Sequence, residues 1–297
     1  MNYNLFIEAL IQEFISALSP DVIPTLERHP EKANHAGDLI VFTPKDRTKT
    51  TIYPVIPAKN CYEYYKSTGD VSRVVSDVLE AMDNASNLTG ITAEAFTHYE
   101  NVKDHLCLKL MNYKDNKELI DDSPHIRYYD LALVCIYLTQ KVDNSGLQSL
   151  QVRNNFLQMW NVTEEELLRQ AIENAPKMME PQIFPMQNIL SEIPGFPKRP
   201  FRSNMYILTN KERFLGAVCM TFPGVLSDFA DKMGHDIIIL PSSTHEVILV
   251  PDDGSVFKDI NEYNPIIRSA NDNVVDTKDR LSDHYYRFVR ETMKLEY

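Results

Sequence analysis

The chain has 297 residues, 43% of them hydrophobic and 24% charged, which excludes the disordered class and leaves room for one large or two ordinary domains. Its formal charge of −12 and pI near 5.1 argue against a nucleic-acid groove, because phosphate binding needs a concentrated basic face. The densest basic cluster, Lys198-Arg199-Pro200-Phe201-Arg202, is a local patch read as a solvated linker.

Asn2–Leu18 reads as a leading helix, with Leu5, Phe6, Ala9, Leu10 and Phe14 at helical spacing and Ser19-Pro20 closing it. Residues 1–20 contain no Lys or Arg, so they suit neither a secretory signal nor a membrane-surface helix, and no apolar run reaches membrane-span length. The four cysteines, Cys61, Cys107, Cys135 and Cys219, lie far apart and read as reduced, buried thiols of a cytoplasmic protein.

Asp38-Leu-Ile-Val-Phe42 and Thr50–Ile56 read as a hairpin, with Pro54 marking an edge. Tyr62-Glu-Tyr-Tyr65 reads as helix packing or an aromatic contact surface. Val71, Val74, Val75, Val78, Leu79 and Met82 trace one stripe of a helix. His105–Met111 is a candidate strand and Glu118–Ile120 a short helix. Past Pro124, Tyr129–Leu138 predicts a long buried strand, preceded by His125, which is expected to satisfy backbone groups. Asp143-Asn-Ser-Gly146 is turn chemistry, and Leu147–Val152 returns as a strand. Trp160 is expected to anchor the core. Thr163-Glu-Glu-Glu166 is a capping box opening a helix through Ala175.

Six of the seventeen prolines fall between Pro176 and Pro200, which reads as an extended connector. Met205–Thr209 then predicts a strand, Pro223 and Gly234 bracket a helix, and Ile237–Leu240 with Val247–Val250 form a hairpin. A helix through Ile260–Ala270 and a strand at Tyr285–Val289 finish the chain.

Three times an aspartate opens an apolar strand: Asp38, Asp130 and Asp236. A turn, a second strand and an amphipathic helix follow each time. The expected fold is therefore α+β, with antiparallel β-hairpins each followed by a packing helix (three hairpin–helix units) behind a leading N-terminal helix. The expected organisation is 1–122, the leading helix plus first unit; 123–180, the second unit; 181–203, a proline-rich connector; and 204–297, a C-terminal α/β unit.

A Gly-rich dinucleotide fingerprint, a phosphate loop, a Gly-x-Ser-x-Gly elbow and a His-Glu-x-x-His motif are all absent. Ser242-Ser243-Thr244-His245-Glu246 supplies a hydroxyl, an imidazole and a carboxylate, the groups of a nucleophile, a base and its orienter. Neighbours on a strand point to opposite faces, so the acid would come from elsewhere, such as Asp283 or Asp252. The catalytic candidates are Ser243, His245, Asp283 and His284. The bland reading of the same stretch is a hairpin turn closed by serine hydroxyls. His235-Asp236, His245-Glu246 and Asp283-His284 would have to converge to hold a metal, and none is assigned.

Pro124-His-Ile-Arg-Tyr-Tyr-Asp-Leu-Ala132, Met205-Tyr-Ile-Leu-Thr-Asn210, Phe222-Pro-Gly-Val-Leu226, Leu240–Pro251 and Leu281-Ser-Asp-His-Tyr-Tyr-Arg287 carry a family likeness. The chain resembles an uncharacterised bacterial domain-of-unknown-function family marked by MYxLTN, PGVL, LPSSxHEVILVP and LSDHxYR segments. Phe222 stands where that pattern has tyrosine. The resemblance implies a soluble bacterial protein. The expected function is a non-enzymatic protein that binds a partner protein or a small molecule, without cofactor, nucleic acid or membrane; the alternative is a hydrolase or metal-dependent enzyme centred on Ser242–Glu246.

Overall fold

Asp38, Asp130 and Asp236 each stand directly before a strand of a different antiparallel sheet in the computed structural model, which describes residues 1–28, 37–46, 55–88, 93–138, 147–188, 204–256 and 259–297. The chain forms two compact units. One comprises the described residues of Met1–Asn101 together with residues 147–148, and the other comprises Val102–Leu138 and Ser149–Tyr297.

In the first unit, helix α1 (Tyr3–Ala17) starts where the Asn2 side chain accepts a hydrogen bond from the Leu5 amide at 3.0 Å. Its buried stripe, Phe6, Ile7, Leu10 and Phe14, packs on Ile40 and Phe42 of a following strand and on two further helices. A three-stranded sheet runs β1 (Val22–Glu27), β2 (Leu39–Pro44), β3 (Ile56–Pro57). β1 had no strand signature in the sequence, since Pro24 and Glu27 dilute it. Of the expected 50–56 hairpin arm, residues 50–54 lie outside the described residues. Helices α2 (Ala58–Thr68) and α3 (Val71–Leu88) complete the unit. Tyr62 and Tyr65 of α2 lie 5.2 and 4.9 Å from the Phe6 ring, so most of that tyrosine cluster is helix packing.

Two short helices, α4 (Ala93–Phe96) and α5 (Tyr99–Val102), lead to the second unit. Its four-stranded sheet is centred on β6 (Leu131–Leu138), which is buried over its whole length. β4 (Leu106–Asn112) lies on one edge of β6. On the other edge are β5 (His125–Tyr128) and β7 (Ser149–Gln151). This sheet thus draws strands from both the 1–122 and the 123–180 stretches. Helix α6 (Lys117–Asp121) sits on one sheet face through Ile120. Helix α7 (Asn154–Trp160) buries Trp160 beside Phe156. Helix α8 (Glu164–Met178) packs on β4 and β6 through Leu167, Leu168, Ala171 and Ala175. The expected capping box forms: the Thr163 hydroxyl accepts from the Glu166 amide at 3.2 Å, and the Glu166 carboxylate accepts from the Thr163 amide at 2.9 Å.

A six-stranded sheet follows, in the order β13 (Lys294–Glu296), β12 (Tyr286–Val289), β10 (Ile237–Ser243), β11 (Glu246–Pro251), β9 (Tyr206–Asn210), β8 (Pro181–Pro185). β8 (Pro181–Pro185), inside the stretch read as a connector, pairs with β9 (Tyr206–Asn210), its prolines tolerable at a sheet edge. Residues 189–203, including the Lys198–Arg202 patch, lie outside the described residues, as does the Asp143–Gly146 turn. Helix α9 (Val225–Met233) ends at Gly234, whose φ of 76° suits a residue without a Cβ. β10 (Ile237–Ser243) and β11 (Glu246–Pro251) are joined by the two residues Thr244 and His245. Helix α10 (Tyr263–Asn273) packs Tyr263 and Ile267 on Ile238, Leu240 and Val250. β12 (Tyr286–Val289) and β13 (Lys294–Glu296) close the other edge.

The fold is α+β with open antiparallel sheets, and in all three sheets the Asp-led strand pairs with the next strand before a helix follows. The four cysteines are buried and unpaired; burial pushes Cys61 up to about 11 and Cys107 and Cys219 up to about 12. Thr163→Ala is expected to lower stability by about 1 kcal/mol in urea unfolding, while Thr163→Ser keeps the cap.

Candidate functional site

Residues 279–286 form a strap that ties the hairpin β10–β11, the four-stranded sheet and α10 together. Its first anchor is Asp279, at the end of a 3-10 turn (Thr277–Asp279). The Asp279 carbonyl accepts from the Thr244 amide at 2.8 Å, and its carboxylate accepts from the Thr244 hydroxyl at 3.0 Å. Next, the Leu281 carbonyl accepts from Asn112 Nδ2 of β4 at 2.6 Å. Asn271 of α10 donates to the Ser282 carbonyl at 3.0 Å and to the Asp283 carboxylate at 2.8 Å.

His245 occupies the hairpin turn. Its Nδ1 accepts from the Leu215 amide at 3.1 Å, which leaves the proton of the neutral ring on Nε2. Nε2 faces Asp279 Oδ1 at 3.6 Å, too long for a hydrogen bond. Ser243 Oγ accepts from the His245 amide at 3.1 Å and makes no bond to the imidazole. A serine activated by His245 would need that bond, so Ser243 closes the turn here. Glu246 is half buried, and burial raises its carboxyl above the usual range. Behind the turn a 3-10 segment (Gly216–Thr221) packs on β9 and β11. A Cβ on Gly216 would collide with Thr209 Oγ1 and come within 2.6 Å of the Asn210 amide nitrogen and 2.8 Å of the His245 carbonyl oxygen.

His284 belongs to a second network, built on Asp130 in the β5–β6 turn. His284 Nδ1 donates to the Tyr285 carbonyl at 3.1 Å, and Nε2 faces Asp130 Oδ2 at 3.2 Å. Both partners are acceptors, so both contacts are satisfied when the ring carries a proton on each nitrogen. Hydrogen bonding to Asp130 accordingly raises the His284 pKa. Asp130 also accepts from the Ser282 hydroxyl at 2.8 Å and the Tyr286 hydroxyl at 2.5 Å. Burial works to raise the Asp130 pKa, but the bonds from His284, Tyr286 and Ser282 outweigh it and hold the carboxyl below its usual range. Burial, then Asp130, drives the Tyr286 phenol far up. The His284 ring meets Tyr297 edge-on at 4.5 Å and Tyr286 at 5.1 Å.

Of the four sequence candidates, Ser243 and His245 share the hairpin turn, while Asp283 and His284 share the strap with different partners. The acids that face the imidazoles are Asp279, beside His245, and Asp130, which holds His284. Asp252 instead joins Asp236 in pairing with Arg287, each at 2.9 Å. Among the described residues no three His, Cys, Asp or Glu side chains are grouped to hold a metal ion, and His235 is exposed. Asp130 is marked in the sequence only by its place at the opening of an apolar strand. Asp279 and Asn271 carry no such mark.

Fold and strap define an α+β protein of open antiparallel sheets whose polar side chains are joined into structural networks. Over residues 3–290 the sequence matches the model of a family of unknown function, DUF5688, and the chain belongs to that family. No curated protein and no solved structure matches it.

Asp130→Asn leaves the His284 cation without its counter-charge and is expected to cost about 2–4 kcal/mol. The raised His284 pKa stabilises the fold fully below about 6.5 and is lost as pH rises through the folded value; the lowered Asp130 pKa stabilises above about 3.9 and is lost as pH falls through its folded value. The gap between wild type and Asp130→Asn in urea unfolding should therefore be largest near pH 5–6 and narrow toward pH 9. Gly216→Ala should lower stability by about 1–3 kcal/mol, because backbone atoms must move to admit the methyl group.

Proposed function

We propose that the chain is a non-enzymatic cytoplasmic protein that binds a partner protein or a small molecule. The carrying observation is how the hydrogen-bonding groups of the most catalysis-like segments are used. Both nitrogens of His284 bond to acceptors of the fold. His245 Nδ1 accepts a backbone bond, and Ser243 Oγ does the same. A general base needs a lone pair directed at the proton it takes, and neither imidazole presents one next to a hydroxyl nucleophile. Buried, unpaired cysteines support a reducing compartment.

A fluorophosphonate probe tests the reading on the full chain. Ser243 is expected to stay unlabelled in the folded protein, and any labelling should be indifferent to His245→Gln. Stoichiometric labelling of Ser243 that disappears in His245→Gln would overturn the proposal and restore the hydrolase reading centred on Ser242–Glu246.

A further inference from the structure

Strand β9 ends at Asn210, and the residues that follow, Lys211 to Leu215, turn the chain into the 3-10 segment Gly216–Thr221. Two residues of this turn are left-handed without being glycine: Arg213 at φ 52° and Leu215 at φ 53°. A bulky side chain avoids that region, because its Cβ crowds the following carbonyl oxygen. It stays there only where neighbouring groups hold it.

The two are held by different means. Asn210 is buried and braces the first part of the turn. Its Oδ1 accepts from the Glu212 and Phe214 amides, each at 3.1 Å, and its Nδ2 donates to the Phe214 carbonyl at 2.7 Å. Its own carbonyl accepts from the Arg213 amide at 3.0 Å. None of these bonds involves a titratable side chain. Leu215 is held otherwise, since its amide donates to His245 Nδ1 at 3.1 Å. Gly216, packed against Thr209, Asn210 and the His245 carbonyl, fixes the chain just beyond.

On its other side the ring meets an acid. Nε2 lies 3.6 Å from Asp279 Oδ1, and Asp279 is itself fixed by the amide and hydroxyl of Thr244. Among the described residues, the charged and titratable groups around the ring are Asp279 from the strap, Glu246 from its own hairpin, Arg213 from the turn and, acting on Asp279, Lys109 from β4. The Phe214 ring packs at 5.8 Å. The neutral imidazole, with its proton on Nε2, accepts from Leu215. A second proton goes to Nδ1, and a ring protonated at both nitrogens has no acceptor in any orientation. Its charge is then attracted to Asp279, while the Leu215 N–H faces another N–H. The ring is retained by the acid, and the strained residue gives way.

We propose that His245 is a proton-operated latch on the turn before Gly216: the neutral ring holds Leu215 in its left-handed state, and proton uptake at Nδ1 releases it. The bond is present while the ring is neutral and is lost as pH falls, and histidine ordinarily changes charge between about pH 5 and 8.

Hydrogen-exchange mass spectrometry of the full chain tests this, with each rate divided by the intrinsic rate at the same pH. Protection of the peptide over residues 211–217 is expected to fall about tenfold between about pH 8 and about pH 5.5. His245→Asn offers an amide oxygen near the place of Nδ1 and takes up no proton, so its protection should be the same at both pH values. His245→Leu removes the acceptor and should leave the turn weakly protected at both. If the leucine variant fails to fold, the comparison of wild type with His245→Asn carries the test alone. Equal protection of the wild type at the two pH values would overturn the latch. So would full protection in a folded His245→Leu, or an equal fall in His245→Asn, which would assign the change to Glu246 or His284.

Discussion

The second unit depends on one half-buried carboxylate. Asp130 stands at the turn into β6, the most buried strand of the chain, and accepts three side-chain hydrogen bonds from the strap: Ser282, His284 and Tyr286. Tyr286 begins β12, which pairs with β10, so a single side chain fastens the four-stranded sheet to the six-stranded one. A lone carboxylate in that position would be expensive to desolvate. Three donors, one of them charged, offset the cost and fix the strap in one register.

The same logic recurs at the other aspartates that open strands. Asp38 accepts from the Tyr3 hydroxyl at 3.2 Å, tying α1 to the start of β2. Asp236 pairs with Arg287 at 2.9 Å and accepts from the Arg290 amide at 2.9 Å, tying the start of β10 to β12. Each backbone carbonyl also accepts from an amide of a neighbouring segment: Ala58 on Asp38, Tyr113 on Asp130 and Asp252 on Asp236. An acidic residue at the mouth of an apolar strand thus serves as a clasp for a distant segment.

That recurrence explains what could be read beforehand. Strands with dense apolar runs, such as Leu131–Leu138 and Ile237–Leu240, announce themselves because burial on both faces demands them. The cap at Thr163 is equally legible, since its chemistry is local. β1 was hidden because alternating burial around Pro24 gives a weak signal, and β8 because proline at an edge resembles a linker. The candidate site was legible only in part. Ser243 and His245 were visible as residue types, yet the acid beside His245 lies thirty-four positions along the chain, in a turn of no special composition. Pairing over such a separation is set by packing, which spacing does not encode.

The burial of every cysteine has a use beyond packing. Thiolate is the reactive form, and thiols held at about 11 and 12 inside the core present almost none of it to a reagent at neutral pH. Alkylation must therefore wait for the surrounding structure to open. Cys61 lies in the first unit, and Cys107, Cys135 and Cys219 lie in the second, so the rates at which the four are modified form two built-in clocks. Each clock times the opening of its own half of the molecule, without a mutation or an added label.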